Sequence, residues 1–124
     1  VVEDEDAIQS IVDDTLSQGG FKVAIAKTKE EAVTVLKGRL VAYRALVIDT
    51  NLLGRFSGWE VARAVRDVDP NFPVVYVSGV AAHEWPAQRV PKSIMLQKPF
   101  APAQVTIAVS QLLNERSGGG SGTA

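Results

Sequence analysis

The feature that most constrains this chain is an alternation. Short apolar runs at residues 1–2, 22–26, 45–48, 74–77 and 93–96 are separated by segments whose apolar residues recur at helical spacing. All of these runs but the first have the length of a strand. Ile8, Ile11, Val12 and Leu16 mark one face of a helix that ends at Gly19-Gly20, where glycine can supply the left-handed residue that closes it. Thr28 with Glu31 three residues on is a capping-box pattern, and Ala32, Val33 and Leu36 follow before Gly38. A third helix is expected over 58–67 with Val61, Ala62 and Val65 inward, stopping before Pro70. A short or broken fourth is expected over 81–89, interrupted by Pro86, and a fifth over 102–115 with Val105, Ala108, Leu112 and Leu113 on one side. Five nearly continuous apolar strands alternating with five helices indicate a parallel sheet covered on both faces, a doubly wound α/β domain.

Composition narrows the possibilities further. The 124 residues, 46% of them hydrophobic, suffice for one packed core. Thirteen basic against fourteen acidic residues, with no Lys/Arg cluster, exclude the footprint of a direct nucleic-acid or anionic-membrane binder. The absence of Cys excludes disulfides and thiolate metal sites, and no segment reads as a signal peptide or a membrane span, so a cytoplasmic setting is expected. Val1-Val2 is too short for a buried strand, so the first strand is expected to have lost residues at its start. Residues 117–124 carry no side chain able to anchor a core and are expected to form a flexible Gly/Ser-rich tail or linker outside a domain of residues 1–116.

In a doubly wound sheet the ligand crevice lies beyond the carboxyl ends of the strands. Glu3 and Asp4 follow the first run, Asp49 the third, Ser78 ends the fourth, and Lys98-Pro99 follows the fifth. Carboxylates converging on one rim repel one another unless a cation neutralises them, and an all-oxygen set without His or Cys suits Mg2+. A carboxylate at the tip of a buried strand is a competent nucleophile for forming an acyl phosphate, which makes Asp49 the candidate acceptor. Lys98 would add a second cation, Ser78 and the Thr50 backbone N–H could bond phosphoryl oxygens, and Gly79 would leave them room. Taken singly these signals are weak: Glu3-Asp4 could cap a helix, Ser78 before Gly79 is ordinary turn chemistry, and Lys98 could protect a strand edge. Their order and strand-end placement give the set its weight.

These residues resemble the receiver domain of two-component response regulators. The resemblance spans residues 1–116 and rests on Val-Val-Glu-Asp-Glu, Ala-Leu-Val-Ile-Asp-Thr-Asn-Leu, Ser-Gly-Trp-Glu-Val-Ala-Arg, Val-Val-Tyr-Val-Ser-Gly and Leu-Gln-Lys-Pro-Phe. It implies a flavodoxin-like, five-stranded sheet of order 2-1-3-4-5. It further implies that Glu3, Asp4, Asp49 and the Asn51 carbonyl hold Mg2+, and that Asp49 is phosphorylated by a histidine kinase or phosphotransfer protein. Ser78 and Lys98 would sense the phosphate, Lys98-Pro99 would be cis, and a homodimer through the last helices and strands is open to the family. The chain would be a signalling phosphoacceptor with slow autodephosphorylation rather than an enzyme.

Three departures from the family pattern stand out. The loop from Asp49 to Gly58 is one residue longer than usual. Met95 occupies the position of a frequent aromatic switch residue, three before Lys98. The 81–91 segment, with His83, Trp85 and two prolines, replaces a regular helix on the face that often meets partners. Met95 and Trp85 are therefore the expected points of difference in output. A Ser78–His83–Asp49 hydrolase triad is rejected, since no Gly-x-Ser-x-Gly elbow surrounds Ser78. An aspartyl phosphatase would want an acid where Asn51 stands. A degenerate receiver that only binds partners is the remaining alternative.

Overall fold

The computed structural model describes residues 1–36, 42–50, 57–79 and 90–121. Three strands, β1 (Leu46–Asp49), β2 (Val74–Ser78) and β3 (Ile94–Gln97), pair in parallel in the order β1-β2-β3, with Ile48 opposite Tyr76 and Tyr76 opposite Met95. Val2 extends the sheet by bridging Ile48 on one side and Ala26 on the other. Its N–H donates to Val47 O (2.8 Å) and its carbonyl accepts from Asp49 N (2.9 Å), while Glu3 N donates to Ala26 O (3.0 Å). Counting by sequence, the order across the sheet is 2-1-3-4-5, as the resemblance implies.

The second run, expected as a strand over 22–26, joins the sheet at its end: Ala26 bridges Val2, Ala24 O accepts from the Val1 amino group (2.8 Å), and Ala26 N donates to Val1 O (2.9 Å). The other three strands each begin or end one residue later than the apolar run suggests, which brings Asp49, Ser78 and Gln97 into the sheet as the last residues of their strands.

Four helices are described: α1 (Asp6–Gln18), α2 (Lys29–Leu36), α3 (Ser57–Val68) and α4 (Pro102–Ser121). The helix expected over 81–89 and the stop at Gly38 lie outside the described residues. Helix α1 closes as expected, with Gly20 at φ 92°. At the start of α2, Thr28 Oγ1 accepts from Glu31 N (3.0 Å), but the Glu31 carboxylate takes the N–H of Lys27 rather than that of Thr28, so the capping box is displaced by one residue. Helix α4 starts on Pro102, where a missing N–H costs nothing, and Gln104 Oε1 accepts from Ala101 N (2.7 Å). It runs through Ser121, beyond the end expected at Glu115.

The period of two along the strands sorts the core into two layers. Leu46, Ile48, Val74 and Tyr76 face α2 and α3, packing with Ala32, Trp59, Val61, Ala62 and Val65. Val47, Val75 and Val77 face α1 and α4, packing with Val12, Leu16, Val105, Ala108, Val109 and Leu112. Both faces are covered, and each fully buried aliphatic side chain of the strands contributes roughly 1.5–3 kcal/mol. The central strands are thereby held rigidly, and their carboxyl ends with them. The peptide Lys98-Pro99 is cis, as expected.

Candidate functional site

Helix α3 begins hard against the end of β1. A Cβ placed on Gly58 would lie 2.1 Å from Asp49 O and 2.7 Å from Thr50 Cα, so the approach that brings α3 down onto the Asp49 backbone is open only to glycine. Asp49 itself is 4% exposed and its N–H is held by Val2 O. A charge in this position must be compensated.

Compensation comes from across the sheet. Lys98 N donates to Ser78 O (2.8 Å), which ties the residue after β3 to the last residue of β2 and aims the lysine side chain over the strand ends. Its Nζ lies 3.1 Å from Asp49 Oδ2, 3.4 Å from Glu3 Oε1 and 3.3 Å from Glu5 Oε1. Burial alone would lower the Lys98 pKa, but the carboxylates of Asp49, Glu3 and Glu5 more than reverse this and hold it above the ordinary value. Lys98 is therefore a charged ammonium shared by three acids.

Glu3 is the most strained member of the group. Burial first, and then the neighbouring Asp49 charge, push its pKa up to about 7, against smaller opposing contributions from its hydrogen bond to Glu5 N and from Lys98. Its Oε2 accepts from Glu5 N (3.1 Å), and the backbone carbonyl of Glu3 accepts from the buried Gln9 side chain, so the turn leading into α1 is closed on itself. Oxygens of Glu3, Asp4, Glu5 and Asp49 all lie within 4.8 Å of one another. A set of hard oxygen donors that crowded, one of them driven toward protonation, fits a divalent cation of the Mg2+ class.

Of the residues singled out in the sequence, Glu3, Asp4, Asp49 and Lys98 come together, and Ser78, fully buried, ends the adjacent strand. Thr50 requires a correction. Its backbone N–H donates into the sheet, to Val77 O at 3.2 Å, and so is not offered to a phosphoryl oxygen in this conformation. Its hydroxyl is buried without a partner among the described residues. At Gly79 a Cβ would meet only Lys98 Cβ, at an ordinary 3.7 Å, so packing in this conformation does not itself demand glycine there. Met95 is partly buried and packs against the layer that holds Trp59, Tyr76 and Val90. Asn51, His83 and Trp85 lie outside the described residues.

Sequence reasoning passed over Glu5. Its signal was present in the third acid of Val-Val-Glu-Asp-Glu, at a position that proves to be the N-cap of α1. Glutamate is a poor N-cap, and here its side chain makes no capping bond and reaches Lys98 instead.

The comparisons agree with this arrangement. A family model described as response regulator receiver domain matches residues 1–110. Among solved structures, a response regulator receiver protein from Sinorhizobium medicae WSM419 is 43% identical, with a TM-score of 0.87 over 93% of this chain and 92% of that one. The receiver domain of NtrX from Brucella abortus is 25% identical, with a TM-score of 0.77 over 91% and 95% of the two chains. A receiver domain protein from Clostridium thermocellum, 17% identical with a TM-score of 0.78, shares the fold. Comparison with curated protein sequences finds no match. No helix among the described residues is long and apolar enough to cross a membrane. Sequence motifs, strand order and site geometry converge with the family model: the chain belongs to the response regulator receiver domain family.

Proposed function

We propose that Asp49 is the phosphoacceptor of a two-component phosphorelay, with a histidine kinase or phosphotransfer protein as donor. The observation that carries this reading is the placement of the Asp49 carboxylate, fixed at the end of a buried strand with the Lys98 ammonium 3.1 Å away and three further acids around it. In the transfer an Asp49 oxygen attacks the phosphorus of a phosphohistidine, the P–N bond breaks, and its electron pair stays on the imidazole, which takes up a proton.

Glu3, Asp4 and Asp49, with the Asn51 carbonyl, are the residues that would hold Mg2+ in this reading. When bound, the cation neutralises charge on the phosphoryl oxygens. The protein's own contribution is electrostatic and positional. Lys98 follows the negative charge from the carboxylate to the phosphoryl group, and the Ser78 hydroxyl, at the neighbouring strand end, is the natural donor to a phosphoryl oxygen. Since Lys98 and Ser78 are joined through the backbone bond Lys98 N to Ser78 O, a shift of either is passed to the other. Met95 and the segment bearing Trp85 are where we expect the altered surface to be read by a partner.

Residues 1–116 act as the receiver in this proposal and 117–124 as a tail or linker, in a cytoplasmic protein whose role is signalling rather than turnover. The test is an intact-mass measurement after incubation with a small phosphodonor and Mg2+. A single phosphoryl adduct that disappears in Asp49→Ala is expected. No adduct, or one that survives the substitution, would overturn the proposal, and a failure to bind Mg2+ in titration would favour a receiver that acts only through partner contacts.

A further inference from the structure

Besides Glu3, Asp4 and Asp49, the side chains that would hold Mg2+ in the proposed function, Lys98 has a further countercharge at the mouth of the site, the Glu5 carboxylate. Glu3 and Asp49 are buried, with side chains 3% and 4% exposed, whereas Glu5 stands at the rim, 62% exposed, with Oε1 3.3 Å from Lys98 Nζ. Glu5 is the N-cap of α1, yet its carboxylate leaves the helix end uncapped and turns to the lysine. Any phosphodonor that reaches Asp49 from solvent must come within a few ångströms of this acid, because its oxygen and that of Asp49 lie within 4.8 Å.

Resting on the phosphoacceptor reading, we propose that Glu5 is a specificity-determining residue: it keeps the outward charge of Lys98 compensated and so selects phosphodonors by their net charge. An anionic donor meets Lys98 and Glu5 together, and the two fields largely cancel. Removal of the Glu5 charge leaves the ammonium to attract the donor, more strongly the greater the donor's charge. At about 6 Å in a water-like medium, one unit of donor charge opposite one unit of Glu5 charge is worth roughly threefold in encounter rate before screening. At about 0.1 M salt the effect falls to about twofold for a monoanion and about fourfold for a dianion, and at about 1 M it nearly vanishes.

The experiment compares phosphoramidate, a monoanion overall, with acetyl phosphate, a dianion, at saturating Mg2+. With the first, the P–O bond to Asp49 forms as the P–N bond breaks and ammonia leaves. With the second, acetate leaves with the electron pair of the broken P–O bond. Rates of adduct formation on the full chain are followed by intact mass for wild type, Glu5→Gln and Glu5→Asp at both salt levels. Glu5→Gln is expected to speed acetyl phosphate about fourfold and phosphoramidate about twofold at low salt, with both gains lost at high salt and wild-type behaviour kept in Glu5→Asp. Equal effects on both donors, a gain that survives high salt, or no gain would overturn the proposal while leaving Asp49 as acceptor. Absence of adduct in every variant would remove both readings together.

Discussion

The buried Glu3 carboxyl makes a stability prediction whose sign is unusual for an acid. Most carboxylates in a folded protein gain partners and titrate low, but Glu3 is pushed from the ordinary 4.5 up to about 7, chiefly by burial and then by Asp49. The folded chain thus binds a proton more tightly at this residue than the unfolded chain does. Stability falls as pH rises from about 4.5 to about 7, and above that window the full cost of ionising Glu3 is present. A displacement of about 2.5 pH units at about 1.4 kcal/mol each puts that cost at about 3 kcal/mol. Glu3→Gln keeps the shape and an oxygen that can accept from Glu5 N, but carries no charge. In metal-free buffer at pH 8 it should stabilise the protein by about 3 kcal/mol, a rise of roughly 10 °C in Tm for a domain of this size, and at pH 5 by less than about 1 kcal/mol. Thermal and urea unfolding at the two pH values measure both numbers. An equal gain at pH 5 and pH 8 would show that packing rather than charge is responsible, and a loss at pH 8 would refute the argument. Saturating Mg2+ should erase or reverse the advantage, because the cation needs the charge that the substitution removes.

Three further substitutions probe how the site is held. Lys98→Met leaves Glu3 and Asp49 buried without the ammonium between them, and should cost about 2 kcal/mol in urea unfolding at pH 8, with much of the loss recovered on adding Mg2+. Gly58→Ala would set a methyl 2.1 Å from Asp49 O, a backbone atom that cannot swing aside; a loss of at least about 3 kcal/mol in Tm-derived stability is expected, and a change under 1 kcal/mol would disprove the close approach of α3. Tyr76→Phe removes the hydroxyl that accepts from Val90 N (3.0 Å) in the core, and should cost about 1–2 kcal/mol without altering the rate of phosphoryl adduct formation.

Much of the fold was legible because burial on both faces writes itself into composition: runs such as Leu46-Val47-Ile48 and Val74-Val75-Tyr76-Val77 are uninterrupted, and α3 and α4 carry their inward residues at helical spacing. What the local pattern leaves open depends on register or on hydrogen bonds that no short stretch of sequence records. Residues 22–26 look like a strand, and whether they form a ladder is decided by the neighbour they meet. The Thr50 N–H looks available beside Asp49 until β1 is aligned with β2, when it is found to serve Val77.

The site was legible for a related reason and incomplete for an opposite one. Asp49 could be found because a charge that abuts a buried run needs an explanation, and Lys98 because the fold returns the end of β3 to the same rim. Glu5 could not be found in that way, since an exposed acid at the start of a helix needs no explanation at all. Only the distance to Lys98 gives it meaning. The consequence for the chemistry is that the ammonium is balanced from two directions, by buried acids that hold it in and by a solvated acid at the mouth. If Asp49 is the phosphoacceptor, as proposed, a phosphoryl group on it changes the inner side of that balance and leaves the outer side in place. On the proposed phosphoacceptor role, Glu5 holds Lys98 from the solvent side at 3.3 Å while Asp49 holds it from within at 3.1 Å, so the position of the ammonium depends on a residue outside the proposed transfer step.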